Sequence, residues 1–150
     1  MSRSGHWPPW RAWLAVAVCA FVGTEVRYGL GLLFPEGSGG LPWTTLTINV
    51  VGAAALAALT GYWSIRAARW WLRAALGPGL LGAFTTFSAV VYAVNQLDSQ
   101  GSILLAVTYL LVTLVAGLAA AALGLTAGQH WARQRQSRQD SLPATSETAR

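Results

Sequence analysis

The stretch LRAALGPGLLGAFTTFSAVVYAV, residues 72–94, decides how this chain is read. It carries no charge after Arg73, and its length is about what crosses a bilayer. Midway along, the apolar run is interrupted by Gly82-Ala83-Phe84-Thr85-Thr86-Phe87-Ser88. Hydrocarbon offers no hydrogen bonds, so irregular backbone at membrane depth survives only where it is buried in protein or lines a cavity. The interruption is therefore the first place to look for an ion or a substrate.

Three further apolar segments flank it. The spans run from Trp10 to Leu33, Trp43 to Ile65, Trp70 to Val94 and Ile103 to Gln129, each near or above the ~20 residues a membrane helix needs. The first is too long for a cleaved signal peptide and continues toward Arg27 with no small-residue cleavage site. Residues 1–9 form a short polar N-terminal segment, and residues 10–129 hold the four spans. Residues 130–150 are polar and charge-mixed; with almost nothing to bury, this tail is expected to be disordered. Pro35 to Pro42 and Asn95 to Ser102 read as turns.

Composition agrees. The chain is 54% hydrophobic and only 10% charged, against about 25% charged in soluble domains. All eight tryptophans fall at the ends of spans, the headgroup level that amphipathic rings prefer. The net charge of +5 comes from arginines that sit beside apolar segments, not on one amphipathic face, which argues against nucleic acid. Cys19 is alone, so no disulfide or paired-cysteine metal site forms within the chain. His6 and His130 lie in polar ends and read as surface residues.

Arginine placement orients the spans. Arg3 and Arg11 precede or open the first, Arg66, Arg69 and Arg73 join the second to the third, and Arg133, Arg135 and Arg138 follow the fourth. The other two loops carry only Glu36 and Asp98. The positive-inside rule puts both termini in the cytoplasm.

Several polar residues lie inside the spans. Thr45 and Asn49 share a face of the second, and Tyr109, Thr113 and Gly117 share a face of the fourth, by their spacing of four. Hydroxyls and amides in hydrocarbon need partners; these are either interhelical hydrogen bonds or the lining of one pathway. Neutral donors and aromatic ring edges can hold an anion, since the edge of a ring is its positive part. Glycine- and alanine-rich runs in the second and fourth spans favour close helix packing, which also suits a compact oligomer. Glu25 and Arg27 lie in the outer part of the first span, and charges there are functional candidates. Two residues apart, they do not face each other on a straight helix. No Ser/His/acid set, carboxylate pair at membrane depth, His/Cys cluster or phosphate-binding loop is present in the sequence, so an enzymatic reading has no support.

These residues resemble the CrcB/Fluc family of fluoride channels. Gly82 to Ser88 is similar to that family's GGxTTFS motif, Gly23 to Tyr28 to its first-helix arginine-tyrosine segment, Thr45 to Gly52 to its TLxVNxxG, and Tyr109 to Leu118 to its fourth-helix pattern. The resemblance implies an all-α membrane protein with four transmembrane helices, the third broken mid-membrane, in an antiparallel dual-topology dimer that exports fluoride passively. It implies a structural sodium ion held by the backbone carbonyls of Gly82 and Thr85, and a fluoride pathway built from Asn49, Phe87, Thr45, Thr86, Ser88, Tyr109 and Thr113. Arg27 would stand at the vestibule.

The chain departs from the family pattern at three points: Ala83 replaces a second glycine, Ala89 and Val90 stand where a second pore phenylalanine is usual, and Glu25 is acidic. The missing ring and the one-sided arginines raise the expectation of an oppositely oriented paralogue as partner. A proton-coupled small multidrug transporter, with Glu25 as its carboxylate, and a non-conducting subunit of a heterodimer are the alternatives.

Overall fold

The computed structural model describes residues 9–37 and 40–140. Among them four helical spans are long and apolar enough to cross a membrane: Trp10–Leu33, Trp43–Ile65, Trp70–Ser99 and Ile103–Gln139. Helix α1 (Pro9–Leu33) opens on a proline, which suits the first helical position because its missing N–H has no partner there anyway. Pro42 stands one position earlier relative to α2 (Trp43–Ile65), at its N-cap.

The third span is composite. A short α3 (Trp70–Ala74) passes into a π-helical segment, Ala75–Leu81, with Pro78 inside it. Proline has no N–H to give the carbonyl four residues back and its ring crowds that carbonyl, so the ladder re-registers. The Gly82 N–H, for example, reaches the Gly77 carbonyl five residues earlier. One more turn, α4 (Gly82–Phe84), follows. Thr85 and Thr86 then adopt extended backbone, and α5 (Phe87–Ser99) resumes with Thr86 at its N-cap. Only these two threonines leave helical geometry within the stretch expected to be irregular, since Gly82–Phe84 is helical and Ser88 lies inside α5. Gly101, at φ 73°, turns the chain into α6 (Ile103–Asp140).

Close packing is made by glycines. Helices α2 and α6 form the most extensive contact and run parallel, with Ala54 beside Gly124 and Ala58 beside Gly128. A methyl group at either glycine would fall on the facing carbonyl oxygen. Likewise α1 lies against the π segment, with Gly23 under the Leu80 carbonyl and Gly79 beside Val16 and Cys19. Between α5 and α6 a small core forms from Val90, Ala93, Leu97, Ala106 and Tyr109.

Outside these seams large apolar side chains face outward. Leu104, Leu118 and Leu123 are each more than 70% exposed in the single chain. Such a surface belongs against lipid or another subunit. The tail differs from expectation: α6 stays helical through Asp140, and residues 141–150 lie outside the described residues. Its 38 residues reach about 57 Å at 1.5 Å per residue, well beyond the ~30 Å hydrocarbon layer. Arg66 Nη2 donates to Gln139 Oε1 at 2.8 Å, tying the α2–α3 loop to this extension.

Candidate functional site

Extended backbone at Thr86 exposes an N–H and a C=O that helix would have paired. One side chain takes both. Asn49, on α2, accepts from the Thr86 N–H through Oδ1 at 2.7 Å and donates from Nδ2 to the Thr86 carbonyl at 3.1 Å. A carboxamide is the side chain suited to this, because it carries a donor and an acceptor side by side. Three residues further on, Gly52 presents no side chain, and a Cβ there would meet the Thr85 methyl and the Phe84 ring. Asn49 and Gly52 together let α2 approach the extended pair.

The neighbouring groups complete the turn. Thr85 donates its N–H and its hydroxyl to the Leu81 carbonyl, both at 3.1 Å, and its hydroxyl lies 3.4 Å from the Gly82 carbonyl. Thr86 Oγ1 accepts from the Ala89 N–H at 3.4 Å and pairs with Ser88 Oγ at 2.8 Å. Among the described residues no backbone hydrogen bond ends on the Thr85 carbonyl. Arg27 Nε donates to the Ala83 carbonyl at 3.4 Å, so the charge in α1 reaches the last helical turn before the break.

A cleft of about 380 Å³ opens beside this turn, lined by Arg27, Thr45 and Thr86 together with Ile48, Glu36 and Ala89. Glu36 Oε1 accepts from the Thr45 N–H at 2.9 Å, which places a carboxylate at the positive N-terminal end of α2. Glu36, a loop charge in the sequence, lines the same cleft as Arg27. No spacing rule signals a contact between a loop residue and a helix start nine positions on.

The remaining expected residues lie elsewhere. Phe87 is 66% exposed, and with Ser88 it faces away from the chain on α5. Gly82 is exposed too. Tyr109 and Thr113 are buried on α6, one turn apart, with hydroxyls that reach at most each other among the described residues. Val90 belongs to the same buried cluster as Tyr109, so its side chain points into the chain. Glu25 is exposed on α1, whereas Arg27 is half-buried; the two charges diverge as their spacing requires. Within one chain, then, the candidate residues form an open cleft at Arg27, Thr45 and Thr86, with Asn49 holding Thr86 beside it, a buried pair on α6, and an outward face at Gly82, Phe87 and Ser88.

Four apolar spans, most of whose surface is left for lipid or a partner, define a multi-pass membrane protein. The model of the family described as CrcB-like protein, Camphor Resistance (CrcB), matches residues 14–125, and the chain belongs to that family. It is similar to "Fluoride-specific ion channel FluC 2" of Geobacillus kaustophilus, at 38% identity over 78% of this chain and 92% of the relative. Streptomyces avermitilis holds two relatives, each 40% identical. Its "Fluoride-specific ion channel FluC 2" matches over 66% of this chain and 63% of its own length, and its "Fluoride-specific ion channel FluC 3" over 77% and 57%. The chain thus spans under two thirds of the two Streptomyces proteins.

Proposed function

We propose that this chain forms a fluoride-specific channel through which fluoride leaves the cytoplasm passively across the plasma membrane of a bacterium. The observation that carries this reading is the Asn49 carboxamide closed on both backbone groups of Thr86. It holds an extended turn open in the middle of an apolar span, beside a cleft with Arg27 at its side. Relatives bearing the name of fluoride-specific channels support the choice of ion, and a channel carries out no covalent chemistry, so the chain is not an enzyme. Expression in a bacterium stripped of its own fluoride exporters tests this. Growth in fluoride medium is restored by the chain alone or co-expressed with an oppositely oriented paralogue if the reading is right, and unchanged sensitivity in both cases contradicts it.

The third span acts as a broken membrane helix whose extended threonines lie at mid-depth. A second subunit in antiparallel orientation covers the outward face of α5, where Phe87 offers its ring edge to the anion and Ser88 its hydroxyl. Tyr109 and Thr113 extend the polar lining, since two buried hydroxyls with at most each other for a partner are costly in an apolar setting. The partner is a second copy or a paralogue; two related chains in one Streptomyces strain are in keeping with the latter. The arginine distribution favours one orientation with both termini cytoplasmic. A topology reporter fused at Arg150 is expected to give signal from the cytoplasmic side alone, and equal signal from both sides contradicts a fixed orientation.

Sodium fits the residues at the break. The Thr85 carbonyl is left without a backbone donor, the Gly82 carbonyl lies one turn away with only a long contact from the Thr85 hydroxyl, and carbonyl oxygens suit a hard cation. Two subunits meeting there would complete the shell. Exchanging sodium for N-methylglucamine is expected to lower the melting temperature of the purified channel in detergent, and an unchanged melting curve removes the cation from the account. A multidrug-carrier reading is disfavoured by Glu25, whose side chain is exposed on α1 and takes no part in the cleft.

A further inference from the structure

At the arginine-bearing end of the chain, away from the Asn49 turn, lies a second and larger groove. It measures about 690 Å³ and runs between α2, the third span and α6, with Leu59, Leu72, Leu76 and Leu81 as its walls and Trp63 and Trp131 near its mouth. The lining is almost wholly apolar. From Leu72 to Leu81 it follows the third span, mostly along the π segment.

Each tryptophan at the mouth carries an arginine. Arg73 Nη2 donates to the Trp63 carbonyl, and the Arg135 guanidinium stacks over the Trp131 ring with its carbon 4.3 Å from the centroid. Trp131 in turn packs on Tyr62, with ring centroids 5.2 Å apart. Both guanidinium groups are therefore held by residues that line the groove, and both side chains are exposed. Arg66, held by Gln139, clamps the loop of the same rim to α6. An apolar slot lined by two tryptophans, each of which holds an exposed arginine, suits the shape and charge of a phospholipid: tail in hydrocarbon, phosphate at the headgroup level. Arginine is suited to the phosphate because its planar fork donates two hydrogen bonds at once.

We propose that this groove is a binding site for an anionic phospholipid, with one acyl chain along Leu72–Leu81 and the headgroup phosphate between Arg73 and Arg135. The occupant is a lipid of the cytoplasmic leaflet, where the positive-inside arrangement places these arginines. The site stands apart from Arg27, Asn49 and Thr86, so it can be tested without any measurement of ion flux.

The experiment is native mass spectrometry of the purified full chain, with phosphatidylglycerol and phosphatidylcholine added in equal amounts. Retention of phosphatidylglycerol about tenfold over phosphatidylcholine is expected from two arginines at the headgroup. The double variant R73Q/R135Q is expected to lose this preference. Because Arg73 also braces the Trp63 carbonyl, a second variant, Leu76→Trp, fills the slot while leaving both arginines in place, and it is expected to lose bound lipid of both kinds. Equal retention of the two lipids by the parent chain overturns the proposal, as does undiminished preference in the double variant. Efficient disulfide cross-linking between two copies of a C19S/L76C variant overturns it as well, because a second subunit would then occupy the groove.

Discussion

Replacing Asn49 by leucine is expected to reduce fluoride efflux from reconstituted liposomes by about a hundredfold. The side chain is similar in size, so little packing is lost. What goes is the pair of hydrogen bonds to the Thr86 N–H and carbonyl. A fully buried backbone group left without a partner costs ~1–3 kcal/mol; the two groups here are part-buried, which puts their joint cost near the low end, ~2–3 kcal/mol. Each 1.4 kcal/mol corresponds to about a factor of ten in the population of the competent state. The extended turn should then close into helix, where its groups pair internally, or draw in water. The four spans stay folded, because their seams lie elsewhere, so the variant should elute with the parent on size exclusion while losing flux. Flux at the parental level would mean that the carboxamide is not what holds the turn.

The second large effect is structural. Gly128→Val is expected to destabilise the chain by ~3 kcal/mol or more, at the upper end of what overpacking costs. A Cβ at 128 would fall on the Ala58 carbonyl oxygen, backbone against backbone, and no flexible side chain can yield there. Parallel α2 and α6 would have to separate along a seam that also includes Gly124 beside Ala54 and Gly61 beside Leu125. For a chain of this size such a loss lowers the melting temperature by on the order of 10 °C, measured by tryptophan fluorescence in detergent. A matching change at Gly117, where a Cβ meets nothing within 4 Å, is expected to leave the curve unmoved. Equal shifts for the two variants would remove the glycine seam from the account.

The spans themselves were legible because length and apolar content are what a bilayer selects, and because tryptophan marks the depth of their ends. Other features required contacts that no local pattern reports. Asn49 and Thr86 both stood out in the sequence, yet their mutual bonding joins residues 37 apart. The π segment went unread although Gly77-Pro78-Gly79 carried its signal: a proline inside a span with no side chain on either neighbour. The interruption proved narrower than its composition implied, because glycine and alanine at 82 and 83 continue a helix readily when packing supports it. Residues 130–140 read as a tail because they bury little. They are, however, rich in arginine and glutamine, which favour helix, and Arg66 fastens their end. Phe87 and Ser88 stand out by resemblance to the family motif, but their outward exposure in a single chain is a matter of which face of α5 packs on α6, which the motif does not report.

The most direct measurement is fluoride efflux from liposomes reconstituted with the purified chain, read with a fluoride electrode beside a parallel chloride measurement. The chain alone or mixed with an oppositely oriented paralogue should release fluoride rapidly and leave chloride inside. No fluoride release in either preparation, or equal release of both anions, would contradict the assignment of a fluoride-specific channel.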